Sequence, residues 1–145
     1  MPENLEHLTI IMVEDDEGHA KLIERNLRRA GINNELKHFN NGGAVVEYFF
    51  SDEFTNSENS PLILLDLNLP VIDGYEVLRR LKANDKTHKI PVIILTTTDN
   101  PKEVEKCYEL GCNVYMTKPV EYEAFAESIR KLGLFLSVVK IPSND

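Results

Sequence analysis

Polar residues of chemically useful types stand where short apolar runs stop. Glu14 and Asp15 follow LTIIMV, Asp66 follows LILL, Thr96 follows VIIL, and Lys118 follows VYMT. Three carboxylates gathered in one crevice repel one another unless protons or a cation intervene, and an all-oxygen donor set with room for water suits Mg²⁺ better than zinc or iron. Lys118 adds a compact positive charge of long reach, and Thr96 adds a hydroxyl donor, so the same crevice can take an anion beside the metal. A nucleophilic oxygen, a bridging cation and donors matched to developing charge are the parts that phosphoryl transfer uses. Asp66 is the best nucleophile of the set because it ends the most apolar run, while Glu14 and Asp15 lie to one side as metal holders.

Taken singly, each residue has a dull explanation. Asp15 and Asp16 suit a helix cap, Asp66 suits the start of a turn before Pro70, and Lys118 suits a solvated loop. What decides is that four separate apolar runs all end in a required residue type. The elements that must position them follow from periodicity. Leu8 to Val13 reads as the first strand, and the helix after Asp16 aligns Ala20, Ile23, Leu27 and Ala30 on one face, with Arg25, Arg28 and Arg29 toward water, before Gly31 ends it. An alternating strand near Glu35 to Phe39 suits a sheet edge, the next helix covers about Gly43 to Phe50, and Ser51 to Pro61 reads as a surface loop.

Leu62 to Leu65 is apolar throughout, as expected of a central parallel strand covered on both faces. A helix from Tyr75 to about Ala83, a strand Val92 to Leu95, a helix Pro101 to about Leu110, a strand Val114 to Thr117 and a last helix Glu121 to about Val138 complete the chain. Five strands alternating with five helices predict an α/β fold, a flavodoxin-like doubly wound parallel sheet of strand order 2-1-3-4-5. Ligands in such sheets bind beyond the carboxyl ends of the strands where the order reverses, here between the first and third strands. That rule makes Asp15 and Asp66 neighbours.

The 145 residues fit one domain, read as 1–145 with a core at about 8–136 and an apolar tail at 137–145, leaving no expectation of a separate output module. A formal charge of −8 without a basic stripe disfavours nucleic acid. No stretch approaches the roughly 18 apolar residues of a membrane span, and Met1 to Leu8 lacks the pattern of a signal peptide, so a cytoplasmic location is expected. Cys107 and Cys112 read as reduced, partly buried thiols, and His7, His19, His38 and His88, which share no ligand spacing, as surface or edge residues.

The segments IIMVEDD (Ile10 to Asp16), LILLDLNLPVIDGYEVL (Leu62 to Leu78), PVIILTT (Pro91 to Thr97) and GCNVYMTKP (Gly111 to Pro119) resemble the four signatures of response-regulator receivers over about residues 8–136. The resemblance implies that Asp66 is the phosphoacceptor, that Asp15 binds Mg²⁺ directly and Glu14 through water, and that the backbone carbonyl of Asn68 completes the protein ligands. It also implies that Thr96 moves to bind the phosphoryl group, Lys118 pairs with it, and Tyr115 turns inward once Thr96 has moved. A cis Lys118–Pro119 bond is usual in the family. Asn68 and Thr98 occupy its two variable positions that tune dephosphorylation, and Thr97 stands where alanine is common. The longer loop before the third strand and the tail LFLSVVKIP are most similar to single-domain regulators of bacterial phytochrome kinases.

The implied partners are a sensor histidine kinase and a downstream protein or further phosphotransfer partner, and the chain would catalyse only its own phosphorylation and dephosphorylation. The competing enzyme reading is a Mg²⁺-dependent aspartate-nucleophile phosphatase. Such enzymes need a second aspartate two residues after the nucleophile, where this chain has Asn68. A flavodoxin-like cofactor binder would need a phosphate loop where this chain has Glu-Asp-Asp-Glu. The apolar residues from Leu132 to Ile141 leave two expectations open: a homodimer contact through the last helix and tail, or a tail folded back on its own domain.

Overall fold

The computed structural model describes residues 8–29 and 31–118. In chain order the elements are β1 (Leu8–Val13), α1 (Glu17–Arg29), β2 (Leu36–Phe39), α2 (Gly42–Phe49), α3 (Asp52–Thr55), β3 (Ser60–Leu65), α4 (Gly74–Lys82), β4 (Val92–Thr96), α5 (Pro101–Leu110) and β5 (Val114–Thr117). The five strands form one sheet of order β2-β1-β3-β4-β5 with every pairing parallel, as the alternation predicts. The expected last helix (121–138), the Lys118–Pro119 bond, Ala30, and the tail with its dimer contact lie outside the described residues.

The unbroken apolar runs of β1, β3 and β4 arise because both faces of the sheet are covered. On one face Ile11, Val13, Ile63 and Ile94 pack with Val45 and Phe49 of α2 and Val77 and Leu78 of α4. On the other, Ile10, Met12, Leu62 and Ile93 meet Ala20, Ile23 and Leu27 of α1. The helix stops are written locally: α1 and α5 run into Gly31 (φ 85°) and Gly111 (φ 107°), left-handed positions that cost glycine little.

Three expectations change. The polar stretch Ser51 to Pro61 is not all loop: Ser51 caps α3 by accepting from the Phe54 N–H, and Phe54 is buried against Phe49 and Tyr48, ring centroids 4.9 and 5.6 Å away. Lys37 of β2 pairs with Glu53 of α3 at 2.9 Å and closes this aromatic brace over the sheet edge. Second, β3 begins at Ser60 and includes Pro61. Pro61 lies two residues before Ile63, whose N–H goes to the Pro91 carbonyl, so it points past the start of β4 and its missing N–H forfeits no ladder bond. Third, Arg28 does not simply face water: its guanidinium donates to the carbonyls of Ile32 (3.0 Å) and Asn34 (2.7 Å), fastening the loop that leads into β2.

Candidate functional site

Register brings the acidic residues together. Val13 pairs with Leu65, so the next residue on each strand, Glu14 and Asp66, emerges at the same rim. The Asp66 N–H donates to the Val13 carbonyl at 3.1 Å, and the Glu14 N–H to the Phe39 carbonyl at 3.0 Å. Asp66 is held from behind as well. Helix α4 starts so close to it that a Cβ on Gly74 would lie 2.2 Å from the Asp66 carbonyl oxygen and 2.6 Å from the Leu67 Cα. The Gly74 N–H meanwhile donates to the Leu67 carbonyl at 2.9 Å. Only a residue without a side chain permits that approach.

Carboxylate oxygens of Glu14, Asp15 and Asp66 all lie within 4.8 Å of one another. Glu14 and Asp66 are buried, while Asp15 is exposed. Asp16, the alternative use for an acidic residue here, is the one that caps α1, accepting from the His19 N–H at 2.9 Å, a bond that lowers its carboxyl pKa. Asp15 is thus left to the cluster. An octahedral magnesium ion with Mg–O bonds of about 2.1 Å holds its oxygens about 3 to 4 Å apart, so this all-oxygen set has the chemistry and roughly the spread that would hold one.

The charge also fits. Lys118, itself buried, contacts Glu14 Oε1 and lies 3.6 Å from Asp66 Oδ2. Three carboxylates against one ammonium leave a deficit that a divalent cation balances. The strain is visible in Glu14, whose pKa is raised by burial and by the Asp66 charge, with the Lys118 hydrogen bond opposing.

Thr96, the last residue of β4, is fully buried, and its Oγ1 has no hydrogen-bond partner among the described residues. A buried hydroxyl without a partner is uncommon and calls for an acceptor. Its backbone carbonyl accepts from the Lys118 N–H, which ties the two strand ends together. The Asn68 N–H reaches back to Asp66 Oδ1 at 3.4 Å, placing that residue's backbone at the nucleophile. Tyr115 stands apart from the acidic cluster: half-buried on β5, it donates its hydroxyl to the Thr98 carbonyl at 2.6 Å, two residues beyond Thr96. Burial pushes the Tyr115 phenol up to about 12, so it is a donor throughout the neutral range.

Two histidines read from sequence as bland are in fact attached to the site. His38 Nε2 donates to the Glu14 carbonyl at 2.7 Å, and His19 Nδ1 lies 3.3 Å from Lys118 Nζ and 4.0 Å from Glu14 Oε1. They share no motif spacing, and only the pairing of β2 with β1 and the start of α1 bring them near. His19, four residues after Asp15 in the first turn of a helix beginning at the site, carried the one legible signal.

Residues 10–130 match the response regulator receiver domain family. The chain is 36% identical over 136 residues to response regulator Rcp1 of Synechocystis, covering 92% of each. A Mn²⁺-bound structure of Rcp1 aligns with a TM-score of 0.80 at 35% identity over 93% of this chain and 99% of that one. A response regulator receiver domain from Rhodospirillum rubrum aligns at 51% identity and TM-score 0.81, covering 93% and 97% of the two chains. The phosphorylated cyanobacterial phytochrome response regulator RcpA aligns at 32% identity and TM-score 0.82, covering 94% and 99%.

Proposed function

The chain belongs to the response regulator receiver family, a family of two-component signalling proteins, with homologues among the phytochrome response regulators, and from that premise we propose how its own residues carry the signal. Asp66 is the phosphoacceptor. Asp15, Asp66 and the Asn68 carbonyl bind Mg²⁺, with Glu14 acting through water. Held by these residues, Mg²⁺ would supply positive charge to offset the charge that develops on the transferring phosphoryl group. Lys118 pairs with a phosphoryl oxygen, and Thr96 closes on another with the hydroxyl that has no acceptor among the described residues. Tyr115, tied to the Thr98 carbonyl, follows that movement as the switch. The attacking Asp66 oxygen displaces the histidine nitrogen of a sensor kinase of the phytochrome class, and hydrolysis of the aspartyl phosphate resets the protein.

The reading takes residues 1–145 as a single receiver domain whose catalysis is confined to its own phosphorylation and dephosphorylation, acting in the cytoplasm through a downstream protein or phosphotransfer partner. Among the described residues no helix is long and apolar enough to cross a membrane.

The observation that carries it is the convergence of Glu14, Asp15 and Asp66 beside Lys118 at the carboxyl rim of the central strands. Acetyl phosphate with Mg²⁺ tests it. Stoichiometric, acid-stable and base-labile labelling of the wild type, abolished in Asp66→Asn, is expected. Asp15→Asn weakens Mg²⁺ binding, and Lys118→Ala takes label without the conformational response. Wild-type labelling of Asp66→Asn overturns the assignment, and sustained turnover of a phosphomonoester favours the phosphatase instead.

A further inference from the structure

The Lys118 ammonium has three N–H donors and three acceptors around it: Glu14 Oε1, His19 Nδ1 at 3.3 Å and Asp66 Oδ2 at 3.6 Å. An ammonium only donates, so His19 Nδ1 must be the bare, accepting nitrogen and the ring proton must sit on Nε2. The backbone that carries the ring is anchored too, because the His19 N–H is held by Asp16 at the start of α1. Of the three acceptors, Asp66 is where a phosphoryl group would be built and Glu14 would be drawn toward the cation. His19 alone has no other task.

Resting on the phosphoacceptor reading above, we propose that His19 is a positioning residue for phosphoryl transfer: in the resting protein its Nδ1 holds Lys118 toward α1, and the ammonium reaches a phosphoryl group on Asp66 by leaving it. His19 thereby sets how much of the binding energy of the phosphoryl group is spent on repositioning Lys118.

The phosphoryl mimic beryllofluoride, titrated calorimetrically in Mg²⁺ at mildly alkaline pH, measures this directly. His19→Ala tightens binding by about three- to tenfold, the scale of a charge-assisted hydrogen bond discounted for its half-exposed position. His19→Asn, whose carbonyl oxygen falls near the place of Nδ1, restores the wild-type affinity. In a Lys118→Ala background the His19→Ala effect disappears, as a coupling through Lys118 requires. A gain in affinity cannot come from misfolding. Unchanged or weakened binding in His19→Ala, persistence of the gain without Lys118, or a ring proton found on Nδ1 by nitrogen-correlated NMR overturns the proposal. Beryllofluoride binding by Asp66→Asn would instead overturn the phosphoacceptor assignment.

Discussion

Replacing Gly74 with alanine should damage chemistry and stability together, by amounts the structure sets. The new methyl would lie 2.2 Å from the Asp66 carbonyl oxygen, 2.6 Å from the Leu67 Cα and 3.0 Å from the Asp66 carbonyl carbon, all backbone atoms that have no rotamer to change. Normal contact requires about 1 Å more room, so either α4 lifts away or Asp66 is pushed toward the crevice. Overpacking of this kind costs about 1–3 kcal/mol, and loss of the Gly74 N–H bond to Leu67 adds about 1 kcal/mol, giving a destabilisation of about 2–4 kcal/mol. Moving a nucleophile by 1 Å costs about a hundredfold in rate. Urea unfolding and acetyl phosphate labelling measure the two effects separately. Gly31→Ala is the control: its φ of 85° strains any side chain, but nothing lies within 4 Å of the added methyl. It should lose about 1 kcal/mol and label at the wild-type rate. If Gly74→Ala kept wild-type stability and labelled normally, the close packing of α4 on Asp66 would not be what holds the nucleophile.

Thr96→Val removes a buried hydroxyl that has no partner among the described residues, so stability should hold or rise by about 1 kcal/mol, while beryllofluoride affinity falls about tenfold; lower stability with intact affinity would show the hydroxyl serving the fold. Phe54→Ala should cost about 3 kcal/mol by emptying the brace against Phe49 and Tyr48, and denaturant midpoints near wild type would make α3 an ornament. Burial pushes the Cys107 and Cys112 thiols from 9.0 up to about 11, so the folded state retains protons that the unfolded state releases at lower pH. Their stabilisation is complete below about pH 9 and is lost as pH rises toward about 11. Cys107→Ala with Cys112→Ala should flatten that alkaline fall, and an unchanged slope in thermal unfolding across that range would assign it elsewhere.

The site was legible because it is built at strand ends. Each apolar run breaks at the residue that reaches into the crevice, so the sheet rule alone places Glu14, Asp66, Thr96 and Lys118 on one rim. Less visible was anything that depended on one anchor in a polar setting. Helix α3 hides in SDEFTN because its only core-facing residue is Phe54, too little for a periodic signal. The early start of β3 hides behind Pro61, which reads as a strand breaker unless one knows that β4, on the side its nitrogen faces, does not extend that far. His19 and His38 escaped because their meaning lies in distances of 3.3 and 2.7 Å across different elements, which no spacing along the chain encodes. Conversely, the choice between Asp15 and Asp16 as cap or ligand was open in the sequence and is decided by the His19 N–H.

The brace formed by α3 also divides the labour of the molecule. It precedes β3, so it sits at the rim where parallel strands begin, whereas Asp66 is reached only after β3 has crossed the sheet, about 20 Å away at 3.3 Å per residue. Lengthening or trimming the connection around Asn56 to Asn59 therefore alters the outline of the protein at one pole and leaves the reacting groups at the other undisturbed. Lineages can remodel that pole to suit new neighbours without renegotiating the chemistry.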